Sequence, residues 1–267
     1  MEKCCFIIFA HSDAQNVDDV NDMIDNINHF HKNADFIVLH PTMKHPKTRL
    51  NVPLGLLNQS SFIFGPLTEL IKDLKDDEIN QFDHFCLVSA NQYFINDIIF
   101  EKNINYAQFN TTENFDNDYT GKDMSKEIIG FPIKQPYLFG KTWDDNGLYK
   151  ELGIELPMIS NWECVTFTKE VMLLCKKNLE TALKIYPNRD LMNVYIPYMI
   201  LLSKQQWDFI PHFGTYDPSN PNPKNYLITI EQTINKRNEN YFSIKRVNYG
   251  KNCHIKNFVR ENFMINQ

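Results

Sequence analysis

Apolar positions along this chain fall into short continuous runs separated by stretches of helical spacing, and that alternation predicts an α/β fold. The first run is Cys4-Cys5-Phe6-Ile7-Ile8-Phe9-Ala10, which reads as a buried strand. Asp13 follows as a helix N-cap, and Val17, Val20, Met23, Ile24, Ile27 and Phe30 then recur at helical spacing. Phe36-Ile37-Val38-Leu39 is the second strand, ended at His40-Pro41-Thr42 by a proline that cannot donate to a ladder. This βαβ unit implies a parallel sheet with a right-handed crossover, whose ligands sit beyond the carboxyl ends of the strands. His11, Ser12, Asp13 and His40 fall there.

The pattern continues with a helix over 61–75, apolar at Phe62, Leu67, Leu70, Ile71 and Leu74, and a third strand over 82–88. That strand stops at Ser89-Ala90-Asn91-Gln92, a second candidate ligand edge, before apolar character resumes at Tyr93-Phe94-Ile95. Residues 103–150 are polar, aromatic and punctuated by Gly130, Pro132, Pro136, Gly140 and Gly147, a sign of long loops with short strands. Val165-Thr166-Phe167 is strand-like, 169–185 is an amphipathic helix ended by Pro187, and 190–204 is a nearly all-apolar helix expected to start or kink near Pro197. After a Pro-Asn loop, the run Tyr226-Leu227-Ile228-Thr229-Ile230 leads to a basic tail with Lys245, Arg246, Lys251, Lys256 and Arg260. With no internal repeat and no linker, residues 1–267 are expected to form one domain around a mostly parallel sheet flanked by helices.

Composition narrows the function classes. The 267 residues are 43% hydrophobic and 22% charged, the balance of a globular protein and not of a disordered one. A net charge of -6 provides no global attraction for nucleic acid or anionic lipid, so any polyanion site must be local. The six cysteines lack CxxC or zinc-type spacing and read as reduced core residues of a cytoplasmic protein. The first apolar run is too short for an ordinary signal sequence, and nothing approaches the roughly 20 apolar residues of a membrane span.

Neither GxGxxG, a Walker pattern nor a GxSxG elbow occurs, which argues against dehydrogenase, P-loop and serine-hydrolase chemistry. Asp116-Asn117-Asp118 has the spacing with which many nucleotide-sugar transferases hold a divalent cation such as manganese. Its Asn-rich surroundings, in place of an apolar strand end, favour a solvated loop.

The order of segments resembles the core-2/I-branching N-acetylglucosaminyltransferase family. The matching blocks are Cys5-Phe6-Ile7-Ile8-Phe9-Ala10-His11-Ser12-Asp13, Asp35-Phe36-Ile37-Val38-Leu39-His40, and Phe82 to Phe94 with its Ser89-Ala90-Asn91-Gln92 break. Ser160-Asn161-Trp162-Glu163-Cys164-Val165-Thr166-Phe167-Thr168-Lys169-Glu170 and Phe242-Ser243-Ile244-Lys245-Arg246-Val247 are similar to two later blocks of that family. The resemblance implies a single-domain GT-A-like fold and an inverting, metal-independent glycosyltransferase of hexosyl or N-acetylhexosaminyl type, as in polysaccharide biosynthesis. It implies no cofactor, a nucleotide-sugar donor and a glycan acceptor. Its donor site would draw on His11, Ser12, Asp13, His40, Ser89, Asn91, Lys245 and Arg246, and its acceptor site on Trp162 and Trp143.

Without a cation, the departing diphosphate needs Lys or Arg, and Lys245 with Arg246 is the best-clustered basic pair, backed by Lys251 and Arg260. An inverting reaction also needs a carboxylate to take the acceptor proton. The family's glutamate position is occupied by Asn193, which leaves Asp190, one helical turn earlier, and Glu163 as the candidate bases. Asn193 equally suits a non-catalytic glycan or nucleotide-sugar binding protein on the same fold.

Overall fold

The computed structural model describes residues 2–10, 17–39, 64–89, 91–107, 109–111, 148–154, 158–160, 163–185, 192–209, 212–213, 228–245, 247 and 253–264. Strand β1 (Cys4–Phe9) is buried along its whole length, which is why it reads as a continuous apolar run with no alternation. It is parallel to β2 (Ala34–Leu39) on one side and to β3 (His84–Ser89) on the other. Helix α1 (Val17–Phe30) makes the crossover and buries Val20, Met23, Ile24, Ile27 and Phe30, the stripe its spacing predicts. Each such side chain removed from water contributes about 1.5–3 kcal/mol.

Helices α2 (Phe64–Asp73) and α3 (Asp76–Ile79) lead into β3, and β4 (Gln92–Phe94) follows it after a short break. The strands β5 (Asn105–Ala107) and β6 (Phe109–Thr111), with helix α4 (Leu148–Glu151), are the described parts of the polar stretch. Next come β7 (Met158–Ser160), β8 (Thr166–Thr168), α5 (Lys169–Ile185), α6 (Met192–Ser203) and β9 (Trp207–Phe209). The chain continues with β10 (His212–Phe213), α7 (Ile230–Asn238), β11 (Ser243–Lys245) and α8 (His254–Phe263).

The main sheet has six strands in the order β2-β1-β3-β8-β5-β9. Only β8 runs against the others, so the expected mostly parallel sheet is present. A second sheet, β10-β11-β4, is attached where the chain leaves β3. Asn26 joins the two layers: its side-chain amide donates to the Phe94 carbonyl at 3.0 Å and accepts from the Phe94 N–H at 2.8 Å, taking the place of a neighbouring strand. The buried His31 and His84 bond the carbonyls of Ile98 and Ile104 at 2.8 and 3.0 Å. Burial lowers both imidazoles below their ordinary value, partly opposed by those bonds.

Some expectations change. The helix expected over 190–204 is α6, and of the two alternatives for Pro197 the start is not taken, because the helix already begins at Met192. Tyr195 buries its ring in that helix and donates to the Cys175 carbonyl, a contact that ties α6 to α5. The basic tail is instead folded structure: Thr229 caps α7, accepting from the Gln232 N–H at 3.1 Å, and Lys245 ends a strand. Lys256 and Arg260 in α8 both pair with Asp22 of α1, the lysine at 3.1 Å. The Tyr93 hydroxyl donates to the same carboxylate at 3.3 Å. Cys4, Cys5, Cys86, Cys164 and Cys175 are buried free thiols and Cys253 is a half-buried one, as expected of core residues. No helix among the described residues is long and apolar enough to cross a membrane.

Candidate active site

Strands β1, β2 and β3 end at a common edge, where the Ala10 N–H donates to the Leu39 carbonyl at 2.9 Å. Ser89 closes β3 there, and its hydroxyl donates to Asn91 Oδ1 at 2.9 Å. The Asn91 carbonyl in turn accepts from the Val247 N–H at 3.1 Å, so the turn after β3 is fastened to the chain two residues beyond Lys245, the last residue of β11. Because β8 is antiparallel to β3, its entry, Glu163 and Cys164, arrives at this same edge. Two segments that lie 82 residues apart therefore meet: the Lys245 ammonium donates to Glu163 Oε1.

The Glu163 side chain is 0% exposed and that of Lys245 14%. The second carboxylate oxygen of Glu163 is buried with no hydrogen-bond partner among the described residues. Its remaining lone pairs can accept from a donor that enters the site.

The backbone at this point is unusual. Cys164 has φ of 60°, the left-handed region. Its N–H donates to the Leu87 carbonyl at 2.8 Å, while the Leu87 N–H donates to the Val165 carbonyl at 3.0 Å. Two residues thus oppose one, the bulge geometry that normally places glycine at the left-handed position. A cysteine there costs on the order of 1–2 kcal/mol, a strain of the sort found beside functional sites. Burial alone would raise the Cys164 thiol. Hydrogen bonds with Cys86, His212 and Ser243, together with the charge of His212, outweigh it and hold Cys164 below the ordinary range. Burial and the Cys164 neighbour push Cys86 up.

Of the candidate residues, the structure brings together Ser89, Asn91, Glu163 and Lys245. His11, Ser12, Asp13, His40, Trp143, Trp162, Asp190, Arg246 and Lys251 lie outside the described residues, as do Asp116 and Asp118. Asn193 is in α6, with its side chain outside them. Arg260, held by Asp22, is committed elsewhere. No group of three or more metal-ligating side chains occurs among the described residues. Sequence reasoning placed Gln92 at the candidate edge after β3 without giving it a role, and did not single out Ser243 or His212; all three are buried polar residues. The one signal for them was polarity inside otherwise apolar or aromatic runs.

No family model matches the chain, and no curated protein does. Among solved structures, the apo structure of WbbM, a bifunctional glycosyltransferase, aligns with 98% of this chain and 52% of that chain, with a TM-score of 0.43 and 11% identity. The chain thus spans about half the length of that protein. A likeness this distant does not show a shared family.

Proposed function

We propose that the chain is a glycosyltransferase-like protein of the core-2/I-branching type, transferring a sugar from a nucleotide-sugar donor to a glycan acceptor with inversion and without a metal. The observation that carries this reading is the Lys245 ammonium, placed at the carboxyl edge of the parallel strands and held there by Glu163. That edge is where α/β sheets bind ligands, and an ammonium there offsets the charge of a departing diphosphate. Ser89 and Asn91 border the same edge, and His11, Ser12, Asp13 and His40 follow β1 and β2 in the sequence. Arg246 is proposed as the second diphosphate cation, Trp143 and Trp162 as acceptor contacts, and Asp190 as the base. Glu163, occupied by Lys245, is better suited to orienting the ammonium than to taking a proton from the acceptor.

The same occupancy favours a second reading, a nucleotide-sugar or glycan binding protein without turnover. Asn193 at the position of the family's glutamate points the same way.

Thermal unfolding with nucleoside diphosphates tests the donor site, since a ligand that binds only the folded state raises the melting temperature. A rise with a diphosphate, unchanged by EDTA, is expected. A rise that requires manganese would replace the metal-free reading with one built on Asp116 and Asp118.

A further inference from the structure

Beneath the Glu163–Lys245 pair lies a layer of buried side chains that the proposed chemistry does not use. Gln92 is at its centre. Its amide orientation is settled by Ser89, whose backbone N–H can only donate, so the atom 3.2 Å from it is the carbonyl oxygen. The amide nitrogen then faces Ser243 Oγ at 3.0 Å and Cys164 Sγ. Ser243 Oγ is itself 3.1 Å from Cys164 Sγ and 2.9 Å from His212 Nδ1. One side chain thus links the end of β3, the bulge at Cys164 and strand β11.

These attachments are next to both charges. Glu163 is bonded directly to Cys164 in the chain. Lys245 is two residues from Ser243 on the same face of β11, and its Cα partner across the ladder is Gln92. A left-handed cysteine at a bulge needs over-determined surroundings to persist, and Gln92 and Ser243 supply contacts to its sulfur.

We infer that Gln92 is a positioning residue: through Cys164 and Ser243 it sets the approach of the Glu163 carboxylate to the Lys245 ammonium, and so the direction in which Lys245 meets a diphosphate. The ligand half of this inference rests on the proposed function, whereas the charge-pair half stands without it.

The test uses Gln92→Met, which keeps the length of the side chain and removes its amide. A double-mutant cycle of Glu163→Gln and Lys245→Met, followed by urea unfolding, measures the coupling of the two charges with and without Gln92. In the wild-type background the coupling should be at least tenfold in the unfolding constant, about 1.4 kcal/mol. In the Gln92→Met background it should fall below threefold. Equal coupling in both backgrounds overturns the inference. If Gln92→Met does not fold, Ser243→Ala removes only the far end of the link. The same loss of coupling is then expected, and an undiminished coupling overturns it.

Calorimetry with uridine diphosphate and guanosine diphosphate supplies the second readout. Gln92→Met should weaken whichever diphosphate binds by at least tenfold and leave the matching nucleoside unchanged. Equal weakening of both overturns the ligand half. Should wild type bind neither diphosphate, the functional reading fails, and the cycle alone decides the role of Gln92.

Discussion

Replacing Lys245 by methionine, a side chain of similar reach, removes the cation and strands the Glu163 carboxylate where it is 0% exposed. Water cannot solvate it in place, and one of its oxygens already has no hydrogen-bond partner among the described residues. Losing one partner of a buried pair costs about 3–5 kcal/mol, because the other charge remains uncompensated. At about 2–4 °C per kcal/mol for a protein near this size, Lys245→Met should lower the melting temperature by roughly 6–20 °C. Glu163→Gln should cost less, about 1–2 kcal/mol, since the 14% exposed ammonium can swing on its flexible stem toward water. Lys72, paired with Glu69 at 3.0 Å on the surface, is the control: Lys72→Met should cost no more than about 1 kcal/mol. Thermal and urea unfolding followed by circular dichroism measure all three variants. A Lys245→Met deficit no larger than that of Lys72→Met, or smaller than that of Glu163→Gln, would refute the reasoning.

Three further outcomes are expected. Burial lowers His31 and His84 from the ordinary value of 6.5, so the unfolded chain takes up these protons at higher pH than the folded one. Stability should therefore fall as the pH drops through about 6.5, by up to about 1.4 kcal/mol for each histidine between pH 7.5 and 5.5, a slope that urea unfolding of the His31→Gln/His84→Gln variant should show flattened. Asn26→Leu, which leaves the buried Phe94 N–H and carbonyl without their side-chain partner, should cost about 2–4 kcal/mol by the same assay, and a loss under 1 kcal/mol would show that the amide is dispensable. Asp190→Asn should lower turnover by orders of magnitude with diphosphate affinity unchanged in calorimetry, and undiminished turnover would exclude Asp190 as the base.

The elements legible in the sequence are those whose burial is uniform or periodic. Cys4–Phe9 and Ala34–Leu39 are strands because both faces of the sheet are covered, and Lys169–Ile185 is the helix its spacing predicts. The extent of α6 was legible as well, 190–204 against Met192–Ser203, but a helix apolar on all sides carries no phase to say which face meets α5. At the site, Glu163 and Lys245 could each be singled out by charge. Their pairing could not, since it depends on β8 running antiparallel to β3 and on β11 lying beside β4. The bulge was hidden for a different reason: its left-handed position is held by cysteine where a glycine would have signalled it. Gln92 and Ser243 are ordinary polar residues until the fold places them within hydrogen-bonding distance.

The central claim, that Lys245 serves a nucleotide-sugar reaction at the carboxyl edge of the sheet, is met most directly by measuring nucleoside diphosphate released from a panel of nucleotide sugars with mixed glycan acceptors. The panel is run in EDTA with wild type, Lys245→Ala and Asp190→Asn. The account predicts acceptor-dependent release by wild type in EDTA, with both variants reduced at least a hundredfold. Release that depends on manganese, or that is undiminished in Lys245→Ala, would contradict it.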